Sequence, residues 1–316
     1  MEITEIMLSR AKGVLAGQIA GDSLGSLAEF QPACEIRKAY PKGVSHLVDG
    51  GVWGHAAGQP TDDSEMALML ARSIAEHGAF LKEEVAKRYR YWIGTNPDDY
   101  GHTTAQALIY GSPVEESQAN GALMRVSPIG IFAACRSTDE AEKYAMEDAS
   151  ITHPNRICLE ASALFAETIA YAVRTGAGPC ESFEFLSFSS EKFSEGIREI
   201  VASSERLPVD FMKNMGWVRI ALQNALYYLR NAISPEDAVI ATVMSGGDTD
   251  TNAAICGALT GACWGIEAFP EQWIKSIRAC TPERIRQKAR RPRPAVFSPS
   301  DFEELAEKLL SAGAKL

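Results

Sequence analysis

A chain of 316 residues, 46% hydrophobic and 23% charged, can bury a large core and has the make-up of an ordinary globular protein. Its net charge of −10 argues against general binding to nucleic acid or to an anionic membrane surface. The seven cysteines (34, 135, 158, 180, 256, 263 and 280) are odd in number and include no CxxC pair, which speaks against a disulfide frame or a zinc site and for reduced core residues of a cytoplasmic protein.

The N-terminal MEITEIMLSRAKG has acidic residues and no apolar run, so no signal peptide is expected. A helix is predicted over 6–20, running into GVLAGQIAGDSLGSLAEF, where glycine at 13, 17, 21 and 25 suits close approach by another backbone or a ligand. This stretch carries Asp22 and Glu29. The best strand candidate follows in VSHLVDGGVWG, with Asp49-Gly50-Gly51 as a hairpin turn. Apolar spacing of three and four then predicts helices over 63–77, 81–93, 103–110, 121–135, 137–149, 156–175, 190–204, 213–231, 235–244 and 251–266. Gly257, Gly261 and Gly265 would let neighbouring helices pack closely on the last of these. Its longest apolar stretch, Ala253 to Trp264, falls short of the roughly 20 residues that span a bilayer. RRPRPAVFSPSD (290–301) looks like a linker to a terminal helix over 300–312. The expected architecture is all-α: a compact orthogonal multi-helix globule over 1–290, with 291–316 as linker and C-terminal helix extension. The basic ERIRQKARRPRP (283–294) is expected to be a solvated helix end and linker, contact with an acidic partner being the other reading.

Two clusters of oxygen donors stand directly before apolar helices: Thr61, Asp62, Asp63 and Ser64, and, far away, Asp248, Thr249, Asp250 and Thr251. Taken alone, each is explained by helix capping. Each nevertheless has more donors than one helix start uses. If the two starts converge, four carboxylates and two hydroxyls without Cys or His suit Mg²⁺ or Mn²⁺, and the mutual repulsion of the carboxylates asks for two cations. Gly246 and Gly247 would turn the backbone tightly into such a site, or simply form a loop. In SQANGALMRVSPIG, Asn120-Gly121-Ala122 opens a helix whose N–H groups can cradle phosphate.

Together GDSLGSLAEF, GQPTDDSEMAL, ANGALMRVSPIG, ITHP and GGDTDTNAAICGALTGACWG, in this order, resemble the ADP-ribosylglycohydrolase family from about residue 10 to about residue 290. The resemblance implies an all-α fold with a binuclear Mg²⁺ or Mn²⁺ centre at converging helix starts, and removal of ADP-ribose from modified side chains. Carried over, it implies metal ligation by Thr61, Asp62 and Asp63 on one side and Asp248, Asp250 and Thr251 on the other. Glu29 would do acid–base work; Asp99 of NPDDYGHTT matches the family's D-x-G aspartate, with Asp98 one residue away. Asn120, Gly121 and Met124 match the loop holding phosphates and distal ribose, and His153 of ITHP lines the same cleft; Asp22 is grouped with Asp98 among the substrate-contacting residues. Ser64 departs from the second Thr of many relatives.

An arginine adduct is the favoured substrate, because its guanidinium would sit near Asp98 or Asp99. ADP-ribose is then the product and an ADP-ribosylated protein the partner. The alternatives are an adduct on serine or nucleic acid, O-acetyl-ADP-ribose, and a non-catalytic binder of an ADP-ribosyltransferase or of its modified target. Retention of the whole Thr/Asp set disfavours the binder.

Overall fold

The hydroxyl of Thr4 accepts a hydrogen bond from Met7 N–H at 3.2 Å, and from that cap the first helix, α1 (Glu5–Gly25), runs 21 residues. The computed structural model describes residues 2–315, and within them fifteen further α-helices follow. They are α2 (Ala33–Ala39), α3 (Asp62–His77), α4 (Lys82–Gly94), α5 (His102–Leu108), α6 (Ser127–Ala133), α7 (Thr138–Ala149), α8 (Arg156–Thr175) and α9 (Pro179–Ser190). After these come α10 (Glu195–Ser203), α11 (Val218–Asn231), α12 (Pro235–Val243), α13 (Thr249–Trp264), α14 (Glu271–Ala279), α15 (Pro282–Lys288) and α16 (Phe302–Ala314). The all-α expectation holds.

Every residue of α1 from Gly13 to Gly25 is buried, as is every residue of α13 from Thr249 to Cys263. Helices apolar on all sides belong at the centre of a globule, and these two form its axis. They run antiparallel, with Gly13 opposite Gly261, Gly17 opposite Gly257, Gly21 opposite Ala253 and Gly25 opposite Asp250. A Cβ placed on Gly17 or Gly257 would overlap the carbonyl oxygen of the other. The glycine spacing therefore serves backbone-to-backbone packing of these two helices. As a consequence, the end of α1 and the start of α13 lie side by side.

Around this pair α11 and α12 pack on α13, α8 on α6 and α7, and α4 on α3. The C-terminal α16 lies against α1, α3 and α6 with Phe302, Leu305, Leu309 and Leu310 in the core.

Several expectations need correction. VSHLVDGGVWG forms no hairpin: a single antiparallel bridge joins Gly50 to His55, and no strand occurs among the described residues. The predicted helix over 121–135 is broken into a 3₁₀ turn, Leu123–Arg125, and α6, because Pro128 cannot donate a backbone hydrogen bond and sits in the first turn of a new helix. Residues 213–217 stay outside α11, with Asn214 in the left-handed region at φ 55°. Helices α2, α9 and α14 fall where none was expected, and α15 occupies the start of the stretch expected to be a helix end and linker. All seven cysteines are free, and no helix is long and apolar enough to cross a membrane.

Candidate active site

The two oxygen-rich helix starts converge at the end of α1. Asp22, on the last turn of α1, is fully buried and accepts from Thr61 N–H at 2.9 Å, Thr61 Oγ1 at 2.8 Å and Ser64 N–H at 3.0 Å. It thus caps α3 from outside. Thr61 makes no side-chain cap of its own, and neither does Asp248 at the start of α13. Capping therefore does not account for most of the donors, although Asp250 accepts from Thr251 N–H at 2.9 Å and Thr249 Oγ1 donates to Gly25 O at 2.7 Å.

Gly246 and Gly247, at φ 80° and 81°, turn the chain into α13; a Cβ on Gly247 would overlap Phe211 O. Phe30 N–H donates to Gly247 O at 2.8 Å and Gly247 N–H to Gln31 O at 3.0 Å, so the segment carrying Glu29 is tied to the turn before Asp248. Carboxylate oxygens of Glu29, Asp248 and Asp250 consequently lie within 4.8 Å of one another, all three residues being buried. Asp63 accepts from Thr61 Oγ1 at 3.0 Å through one oxygen, while its other oxygen is buried without a partner.

Burial pushes the carboxyls of Asp62, Asp63 and Asp250 well above the usual range, and neighbouring carboxylates add to it: Asp63, Asp99 and Glu29 act on Asp62, Asp22 and Asp248 on Asp63, and Glu29 and Asp63 on Asp250. Asp22 and Asp248 are raised by burial too. Glu29 is pushed up to about 8 by burial and then by Asp99, against the lowering effect of Trp53, whose Nε1–H donates to Glu29 at 2.6 Å. So many carboxyls crowded out of water can ionise together only beside a compensating cation. Donors that are all oxygen, one of them orphaned, fit a hard divalent ion.

Above the cluster opens a cleft of about 300 Å³, lined by Glu29, Asp62, Asp99, Asn120, Asp248 and Thr251 among others. Gly121, Met124 and His153 form one wall. Asn120 Nδ2 donates to Asp248 at 2.7 Å, joining that wall to the acidic floor. A side chain at Gly121 would crowd the His153 ring and Thr104 Oγ1, at 3.0 and 3.1 Å from its Cβ. Below, the buried Arg125 donates to Gly121 O, Thr152 Oγ1 and Asp148. Burial and then Arg125 lower His153 to about 3, so the ring is neutral; Nδ1 lies 2.7 Å from Thr152 Oγ1, and Nε2 is buried without a partner. Asp99, also on the cleft, is half-buried and raised, chiefly by burial. Asp98 points elsewhere, onto His55 Nε2 at 3.1 Å and Arg291 at 3.1 Å. Beside the cleft, and sharing Ala119, Met215 and Gly216 with it, lies a groove of about 630 Å³ that Trp217, Met212 and Gln118 help to line.

The chain that builds this carboxylate floor and cleft is matched by a family model. The model described as ADP-ribosylglycohydrolase covers residues 4–315. The chain belongs to the ADP-ribosylglycohydrolase family. As a member it is a hydrolase of glycosidic bonds to ADP-ribose, taking ADP-ribose from modified targets. It is similar to the ADP-ribosyl-[dinitrogen reductase] glycohydrolase of Rhodospirillum rubrum, 28% identical over 88% of this chain and 93% of that protein. It also resembles the ADP-ribosylarginine hydrolase Tri1 of Pseudomonas putida, 28% identical over 86% of this chain and 75% of the relative. A solved ADP-ribosylglycohydrolase-related protein complex superposes at a TM-score of 0.79 with 25% identity, covering 98% of this chain and 100% of the other.

In this ADP-ribosylglycohydrolase, sequence reasoning missed Trp53, which fixes Glu29, and the Met215–Trp217 wall. Neither carries a local signal. Trp53 lies in the stretch expected to be a hairpin, and its role exists only because Gly51 packs against Ser26 and Leu27.

Proposed function

We propose that this glycohydrolase cleaves the N-glycosidic bond of ADP-ribosylarginine on modified proteins, using two divalent cations, Mg²⁺ or Mn²⁺, held by Thr61, Asp62, Asp63, Asp248, Asp250 and Thr251. The observation that carries the reading is the convergence of five carboxylates, from Glu29, Asp62, Asp63, Asp248 and Asp250, under one polar cleft. Bound divalent ions supply Lewis acidity and charge compensation there. In the reaction the bond from the anomeric carbon to the arginine nitrogen breaks, its electron pair going to nitrogen, and water adds to the carbon. The positive charge that builds on the sugar is stabilised by the surrounding carboxylates. Glu29, steadied by Trp53, takes the proton of the attacking water, and the departing guanidine nitrogen gains one, so that the products are ADP-ribose and a protonated arginine side chain.

Asn120, Gly121, Met124 and the unpartnered Nε2 of His153 receive the ADP-ribose body. Asp22 and Asp98 serve by holding elements in place, since their oxygens are already engaged by the chain. Asp99 differs from Asp98 in having no cationic side chain paired with it among the described residues, which supports a guanidinium as its partner. The free thiols support a reducing, cytoplasmic setting.

The test is release of ADP-ribose from proteins modified separately on arginine and on serine. The arginine adduct should be the faster, and Asp99→Asn should slow it about 10²-fold, the loss of one charge-assisted contact worth about 3 kcal/mol. Calorimetric binding of free ADP-ribose should survive this substitution. An unaltered rate in Asp99→Asn would remove the arginine assignment and leave serine or a small-molecule adduct.

A further inference from the structure

The basic segment after α15 is exposed at Arg290, Arg291 and Pro292, as a solvated linker would be, but it is tied down along its length and buries Arg293. Arg290 N–H donates to Gly54 O at 2.8 Å. Arg291 reaches Asp98 at 3.1 Å and the carbonyl of Asn96. Arg293, itself buried, spreads over Glu65 at 2.9 and 2.8 Å, Thr95 O at 3.1 Å and Thr95 Oγ1 at 2.9 Å. Pro292 and Pro294 flank it, which fixes φ at both positions and keeps the segment extended.

What these arginines grip is the stretch from Thr95 to Asp98. It turns through Asn96 in the left-handed region, at φ 55°, and His55 holds Asp98 from the other side. The next residue is Asp99, on the cleft. The other end of the grip is Glu65, one helical turn beyond Asp62 on α3 and also bonded by Trp92 Nε1 at 2.8 Å. Arg293 therefore joins the helix that presents Asp62 to the loop that presents Asp99. Around a single space lie Asp62, Glu65, Asp98, Asp99 and Arg293.

We propose that Arg291 and Arg293 are positioning residues for the hydrolysis: as a strap across the Thr95–Asp98 turn, they set the distance from Asp99 to the acidic floor. The proposal rests on the reading of Asp99 as the group that meets the leaving side chain. Arg291 is the better probe, because its half-exposed ion pair adds little to global stability.

The experiment uses the full chain loaded with Mg²⁺, in four forms: wild type, Arg291→Ala, Asp99→Asn and the double variant. Hydrogen–deuterium exchange of residues 96–101 should rise in Arg291→Ala while α1 and α13 stay protected. Turnover of the arginine adduct should fall about 10-fold with KM within about two-fold, since the loss is of alignment and not of binding. In the Asp99→Asn background the same substitution should cost nothing further. Glu65→Gln together with Arg293→Gln removes both buried charges at once and should raise exchange in the same segment. Unaltered exchange in Arg291→Ala, or a further tenfold loss in the double variant, would overturn the strap. Failure of the Asp99 reading shows separately, as an Asp99→Asn enzyme with wild-type turnover.

Discussion

At the scale of single residues, the site separates near-identical side chains by what surrounds them. Asp98 and Asp99 are neighbours, yet Asp98 is held below the usual carboxylate range by His55, Arg291 and Arg293, which outweigh its burial, whereas burial raises Asp99. Glu29 is raised to about 8, with the Trp53 indole among the contacts that pull it down. Glu29→Gln keeps the shape and removes the proton exchange, so turnover should fall by about 10² or more while metal content, read by elemental analysis, holds. Trp53→Phe deletes the donor. The pH–rate limb assigned to Glu29 should then move to higher pH, because a contact that favours the anion is gone; a limb at the wild-type pH would separate Trp53 from the acid–base step.

At the scale of elements, the active site is a by-product of how α1 and α13 touch. Gly17→Ala would push a methyl group into Gly257 O on a fully buried partner helix and against the Phe269 ring, and a shift of that ring would not relieve the clash with the backbone. Urea unfolding should show a loss of about 3 kcal/mol, at the upper end for overpacking. Gly94→Ala, at the end of α4 where an added Cβ meets nothing within 4 Å, should lie within about 0.5 kcal/mol of wild type or slightly above it. The cap that Asp22 gives α3 makes a second coupling. Four-residue glycine spacing was legible in both helices, as packing in α13, but in α1 approach by another backbone and approach by a ligand both stood open. Only the pairing of Gly17 with Gly257 decides for packing.

At the scale of the molecule, the acidic cluster links stability to pH and to cations. Without metal, a carboxyl such as Glu29, at about 8 when folded against 4.5 ordinarily, favours the folded state fully below 4.5, and that contribution is lost as pH rises to about 8. A bound cation reverses the preference by favouring the deprotonated form. Tm of the metal-free protein should therefore fall between pH 5 and 8, and the rise in Tm on adding Mg²⁺ or Mn²⁺ should grow over the same interval. Exhaustive chelation should abolish ADP-ribose release, and either cation should restore it. Equal Tm gains at both ends of the interval would mean that the cation does not displace protons from this cluster.

The sequence by itself determined the all-α class and marked the candidate oxygen donors: three- and four-residue apolar spacing demands helices, and TDDS and DTDT hold more donors than a helix start can use. Local pattern could not decide which of those donors were free, since that depends on Asp22 arriving from α1 to cap α3. Nor could it choose between Asp98 and Asp99 or read the arginine-rich stretch as a strap, because each outcome depends on contacts between segments nearly two hundred residues apart, made only when the chain closes on itself. Composition and periodicity report what one element needs. Which carboxylate stays unpaired is a property of the neighbours that the fold supplies.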